Sequence, residues 1–206
     1  MKHPRHRTRH ALRHAALLLL TATLAGCVNT VSREVTFYTL ATGAVSVSPA
    51  PARSTAIIAV GPVDFPDYLD RPQIVTRAGG QRLTMDEFHR WAGSLQEDTS
   101  RVVVQQLSHL LNSDQVFIYP SRLAIQPDYR LALNVRRFDG ELRGEVVLDA
   151  AWSLVDGRSN RILDSGQRRY AATVAQPDFD AYVGALSTVL AALSQDIAAA
   201  VNRQGQ

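Results

Sequence analysis

The first 26 residues constrain this chain more than any other stretch. Residues 1–14 carry Lys2, Arg5, Arg7, Arg9 and Arg13 and no acid, and residues 15–24 then read Ala-Ala-Leu-Leu-Leu-Leu-Thr-Ala-Thr-Leu before Ala25, Gly26 and Cys27. A basic head, a short apolar run and small residues at its end are the layout of a secretory signal peptide. Ten residues reach only about 15 Å as a helix, roughly half of a hydrocarbon core, so the run is too short for a spanning anchor. We therefore expect cleavage after residue 26 and a mature chain of 180 residues. That length suits one domain burying roughly 70% of its unfolded surface.

Cys27 is the only cysteine, which excludes an intramolecular disulfide. It also lies at the foot of the apolar run, before any core has begun. Leu24, Ala25, Gly26 and Cys27 resemble the lipobox of bacterial lipoproteins. The resemblance implies that Cys27 takes a diacylglyceryl group and an N-acyl chain, palmitate among them, and becomes the new N-terminus. Each buried methylene contributes about 0.8 kcal/mol and a single chain binds only marginally, so two or three chains on one residue make a durable anchor. No cofactor beyond this covalent lipid is expected.

Cleavage also changes the charge. The full chain has 22 Lys and Arg against 19 Asp and Glu, but five of those cations precede Cys27 and no acid does. The mature chain is slightly acidic, at −2, so the high isoelectric point gives no ground for a nucleic-acid partner. Only His89 and His109 remain of the histidines.

Residues 27–33 read as a lipidated tether and 34–206 as one folded domain. Within it, Glu34–Leu40 reads as a first strand and residues 41–54 as a loop of small residues with Pro49 and Pro51. Ala56–Val60 reads as a central strand stopped by Gly61-Pro62. Pro66 and Pro72 disfavour regular helix between Val63 and Pro72. Gln73–Arg77 is a strand and Ala78–Gln81 a hairpin turn. Thr84 and Glu87 have capping-box spacing, predicting a helix from Thr84 to Leu110 with an apolar stripe of Phe88, Trp91, Leu95, Val102, Val103, Leu107 and Leu110 and a weak point at Gly93. Strands follow at Val116–Tyr119, Tyr129–Phe138 and Glu145–Val155; after a turn at Asp156-Gly157, Arg161–Leu163 and Gln167–Val174 make a long hairpin partner. A closing helix from Pro177 carries Tyr182, Leu186, Val189, Leu190, Leu193, Ile197 and Val201 on one stripe. The order predicts an α+β domain, a mixed or mostly antiparallel sheet with two main helices packed on one face.

A catalytic reading finds little support. The sequence from Cys27 has no Gly-x-Ser-x-Gly, His-Glu-x-x-His or Gly-x-x-x-x-Gly-Lys pattern. On one helix His89 and His109 would stand about 30 Å apart and could not share a metal. Asp64, Asp67 and Asp70 lack the ligand density and glycine of a calcium loop and read as solvated turn acids. Arg136-Arg137 and Arg168-Arg169 put one arginine on each strand face, suiting an edge or rim and, alternatively, lipid head groups or an acidic partner. No metal site and no catalytic residue is expected.

A family resemblance emerges from residues spread over most of the chain. Tyr38-x-Leu40, Val60-Gly61-Pro62-Val63, Pro66-x-Tyr68 through Val75, Arg90-Trp91-Ala92-x-x-Leu95, Tyr119-Pro120 and Ala151-Trp152 are similar to the PqiC/YmbA-type auxiliary lipoproteins of ABC and MCE transport systems. Gly93-Ser94 departs from the acidic-proline type of pair expected there. The resemblance implies a non-enzymatic periplasmic lipoprotein serving an MCE-domain protein and its integral-membrane ABC permease, in the traffic of phospholipid or another hydrophobic molecule that supports membrane integrity. Val28 rather than aspartate after the cysteine favours the outer membrane over the inner. Phe65, Tyr68, Leu69, Asp70 and Arg71 are the candidate docking residues, because exposed aromatic and arginine side chains anchor interfaces; the alternative is that Tyr68 and Leu69 plug the sheet end. A second reading is a stand-alone outer-membrane lipoprotein holding lipid in its own apolar groove. Ring-like self-association through sheet edges would match a channel-forming partner.

Overall fold

The computed structural model describes residues 33–43, 54–120 and 125–204. The expected signal peptide and lipobox, with Cys27, lie outside the described residues. Residues Val35–Gln206 form one compact unit.

Among the described residues are eight strands and two long helices. β1 (Thr36–Tyr38), β2 (Ile58–Asp64), a 3-10 turn (Asp67–Leu69), β3 (Gln73–Arg77) and β4 (Leu83–Trp91) precede α1 (Leu95–Leu110); β5 (Val116–Ile118), β6 (Tyr129–Gly140), β7 (Glu145–Asp156) and β8 (Ile162–Thr173) lead into α2 (Phe179–Gln204). The α+β class holds, but the strands divide into two sheets rather than one. A small sheet has the order β1-β4-β3 and a large one β5-β2-β6-β7-β8. The large sheet is mixed: β2 runs parallel to β5 and β6, while β6–β7 and β7–β8 are antiparallel.

Both helices lie on the large sheet, α1 against β2 and β5, α2 against β7 and β8, and they pack on each other. Alternation explains the geometry. In the first part of β6 Leu131, Leu133 and Val135 are buried, and in β7 Leu148, Ala150, Trp152 and Leu154, every second position. Against them α2 sets Leu186, Leu190, Leu193 and Ile197, each at most 1% exposed. By length and hydropathy α2 could cross a membrane, yet most of its window is buried in this core.

Two local expectations fail. The first concerns the helix expected from Thr84 to Leu110. Residues Leu83–Trp91 are strand, pairing with β3 on one side and β1 on the other, and the helix begins only at Leu95. Ser94 caps it, its hydroxyl accepting from the Glu97 N–H at 3.4 Å, so the capping-box spacing that counts is Ser94 to Glu97, ten residues downstream. Around Asp86 the β3–β4 pairing slips, and the Asp86 carboxylate accepts the Phe88 and His89 N–H groups at 2.8 and 3.0 Å. That is the local bonding of a cap, used to shape an irregular strand. His89 and His109 therefore sit on different elements, not on one helix.

The second failure is at Gly61-Pro62, expected to stop β2. The strand runs through them to Asp64 with a register shift between Val60 and Val63. Gly61 has φ +143°, and a Cβ there would stand 2.3 Å from the Tyr119 carbonyl oxygen. Only glycine lets β2 and the end of β5 approach this closely.

Candidate functional site

The segment between β2 and β3 is the stretch from which docking was expected. Pro66, extended at φ −65° and ψ 139°, leads into the one-turn 3-10 helix. Leu69 N–H then donates to the Pro66 carbonyl at 2.9 Å, and the Arg71 guanidinium donates through Nε to the Tyr68 carbonyl at 2.7 Å. Short-range bonds thus hold a tight bend whose side chains divide into two groups. Leu69 is buried at 4% exposure and joins the core; Phe65 packs edge-on against Phe138 with ring centres 6.1 Å apart. Asp64, Asp67, Asp70 and Pro72 are exposed, and Arg71 is half-buried with Nη1 on the Met85 sulfur.

Tyr68 faces inward and leads to the most unusual group in the molecule. Its hydroxyl donates to Oδ2 of Asp139 at 2.6 Å, and Asp139 is 0% exposed. Arg77 grips both oxygens of that carboxylate, through Nε at 2.5 Å and Nη2 at 3.0 Å, while Arg137 reaches Oδ1 at 2.9 Å. Burial by itself would push the Asp139 carboxyl upward, but the hydrogen bonds from Arg77, Tyr68 and Arg137 outweigh it and hold the group below the usual aspartate range. The same setting pushes the Tyr68 phenol up to about 12, first through burial and then through the Asp139 hydrogen bond. One residue away, Gly140 N–H donates to the Tyr182 hydroxyl at 2.9 Å, and that hydroxyl donates to the Val75 carbonyl at 2.8 Å. Arg77 and Val75 belong to the small sheet, Asp139 and Gly140 to the large one and Tyr182 to α2. This polar knot therefore joins both sheets and a helix beneath the Phe65–Arg71 bend.

The other candidates resolve into pairings. Among the described residues no group of three or more His, Cys, Asp and Glu could hold a metal ion. His89 accepts or donates at Nδ1 with the Tyr38 hydroxyl at 2.9 Å and stacks on Phe179 with ring centres 4.0 Å apart. Arg136 binds Asp149 at 2.5 Å, Arg168 binds Asp196 at 2.8 Å and Arg169 approaches Glu145 at 3.8 Å. Sequence reasoning passed over Arg77 and Asp139. The only signal was an acid in the apolar end of β6, Phe138-Asp139-Gly140, which alternation alone reads as an exposed strand end.

The family profile for the ABC-type transport auxiliary lipoprotein component matches residues 38–198. The chain belongs to this family. It is the PqiC/YmbA type that the Tyr68–Val75 block resembles. The family is one of lipoproteins, hence membrane-anchored, and of transport components rather than a known group of enzymes. Among solved structures, XCC0632 from Xanthomonas campestris, of the DUF330 family, is 19% identical with a TM-score of 0.70, over 84% of this chain and 99% of its own. An uncharacterized protein of known crystal structure is 20% identical with a TM-score of 0.66, over 82% of this chain and 99% of its own. A looser likeness, TM-score 0.46 and 14% identity over 74% of this chain and 90% of the other, is to the PelC dodecamer from Paraburkholderia phytofirmans. We find no significant sequence match among curated proteins.

Proposed function

We propose that this protein is a non-enzymatic, periplasm-facing subunit of an MCE/ABC-type envelope transport system, anchored in the outer membrane by acyl chains on Cys27. The observation that carries this reading is the family match over residues 38–198, joined to a leader that ends in Leu24-Ala25-Gly26-Cys27. Its work is to dock on the MCE-domain partner and so support traffic of phospholipid or another hydrophobic molecule.

The Phe65–Arg71 bend is the docking element in this proposal. Its buried half, Tyr68 and Leu69, fixes the bend on the core, and its outer half, Asp67, Asp70 and Arg71, meets the partner. Rigid presentation reduces the entropy lost on binding. The packed interior beneath the middle of α2 favours docking over an internal lipid groove, since Leu131, Leu148, Leu186 and Leu190 are each at most 1% exposed.

The test is recovery of the C-terminally tagged protein from crosslinked cells in detergent. The MCE-domain protein with its permease should co-purify, and Cys27→Ala should release the protein from membranes. Asp67→Lys with Asp70→Lys should lower recovery of the partner without lowering the melting temperature. Recovery of the protein alone from outer membranes would overturn the transport reading and leave only the anchor.

A further inference from the structure

A second polar site lies at the opposite side of the large sheet, where the free edge strand β8 passes under the last turns of α2. A cavity of about 240 Å³ opens there, lined by Trp152, Asp164, Gly166, Arg168, Asp196 and Arg203 among others. Its construction follows from the strand period. Asp164, Gly166 and Arg168 alternate on the face of β8 that meets α2, and Gly166 pairs with Trp152 of β7. The missing side chain of Gly166 forms the floor: a Cβ there would stand 2.7 Å from Trp152 Nε1. Any other residue would push the indole aside and fill the cleft.

The polar atoms around this floor are only partly used. Arg168 donates to Asp196 Oδ2 at 2.8 Å, and the Tyr170 hydroxyl donates to the same oxygen at 2.7 Å, which leaves Oδ1 without a partner among the described residues. Burial and then that hydrogen bond push the Tyr170 phenol upward, so it stays protonated and remains a donor to Asp196. Arg203 spends one N–H on Asp164 Oδ2 at 2.7 Å. Trp152 is 8% exposed, lines the cavity, and its indole N–H makes no hydrogen bond with any described residue. Among the described residues the one buried side-chain polar atom without a partner is Thr99 Oγ1, so the Trp152 N–H is open to the cleft. It faces a cleft that Arg168 and Arg203 also line.

We infer that the cleft binds a small zwitterion, its oxyanion on the Trp152 N–H and Arg203 and its ammonium on Asp196 Oδ1. The charge pattern selects this class. Two arginines and two aspartates sum to zero, so a lone anion or cation meets as much repulsion as attraction, whereas a ligand of both signs satisfies both. Gly166 lies two residues from Asp164 and from Arg168, about 7 Å along the strand. A cleft of about 240 Å³ has room for a ligand in which two carbons join the oxyanion to the ammonium. Phosphoethanolamine has this chemistry, whether as a lipid head group or as the free compound. The inference stands on the cleft and not on the transport reading.

Full-length protein labelled with ¹⁵N at tryptophan reports the site directly, because the chain has two tryptophans and Trp91 is buried elsewhere. Titrating O-phosphoethanolamine in detergent should shift the Trp152 indole resonance saturably and leave that of Trp91 in place. Inorganic phosphate alone and ethanolamine alone should bind at least tenfold more weakly. Arg203→Met should weaken binding at least tenfold, while Arg158→Met, at an exposed side chain outside the cleft, should not. In nanodiscs without soluble probe, a Trp152 resonance displaced by phosphatidylethanolamine relative to phosphatidylglycerol identifies the lipid as the source; equal positions together with a response to the soluble probe identify the free zwitterion. No shift with phosphoethanolamine, or an equal shift with phosphate alone, overturns the inference.

Discussion

The protein holds aspartates with arginines in two places, and the contrast between them separates architecture from recognition. At the sheet junction Asp139 is 0% exposed and takes hydrogen bonds from Arg77, Arg137 and Tyr68. At the β8 cleft Asp164 and Asp196 side chains are 24% and 34% exposed, and their partners Arg203 and Arg168 are 57% and 64% exposed. In the first the carboxylate is dehydrated, while Arg77 and Arg137 keep 19% and 32% exposure, so losing a partner leaves a buried charge less well balanced. The second is wetted, so its pairs exchange with solvent or ligand at little cost. Similar chemistry gives a clamp in one setting and a receptive surface in the other.

The comparison breaks most readily at Asp139. Asp139→Ala should lower stability by about 3–5 kcal/mol, because it leaves Arg77 and Arg137 facing one another without a counterion. Urea denaturation measures this, and a loss under about 1 kcal/mol would reduce the junction to an ordinary surface pair. Leu69→Ala should follow at about 2–4 kcal/mol, the range for a leucine removed from a packed core. A neutral result would return Leu69 to the docking surface.

Acid sharpens the same contrast. The folded Asp139 carboxyl lies below its ordinary value of 3.8, so the stability it contributes is complete above that value and is lost as pH falls through the lower, folded one. Urea midpoints between pH 5 and 2 should fall less steeply for Asp139→Asn than for the parent protein, as judged by the difference between pH 4 and the acid limit. Parallel profiles would show that Asp139 does not carry the acid sensitivity. Tyr68→Phe should cost about 1.5–3 kcal/mol, one hydrogen bond to a buried charge. Arg203→Met comes last, at under about 0.5 kcal/mol; a larger loss would make the cleft a structural clamp like the junction.

The amphipathic stripe of α2 was legible because its period of 3.6 runs unbroken from Tyr182 to Val201, and a long signal of that kind outweighs local ambiguity. The strands from Tyr129 to Val174 were legible for the corresponding reason with period 2. The stretch from Thr84 to Trp91 was not. Thr84, Glu87, Phe88 and Trp91 satisfy helix spacing, but pairing with β1 and β3 decides the conformation, and a short segment yields to its neighbours. The bend at Phe65–Arg71 was seen as special through its prolines, yet which side chains turn inward depended on Asp139, some 70 residues away.

Taken alone, the sequence shows a basic head and apolar run before the lone Cys27, the two-helix α+β class and the family, because each rests on a contiguous run or a fixed local spacing. Tertiary structure alone decides the division into two sheets, the burial of Asp139 between Arg77, Arg137 and Tyr68, and the cleft that Gly166 opens over Trp152. Those features join residues distant in the chain, and a charge or a glycine acquires its role only from what folding brings beside it.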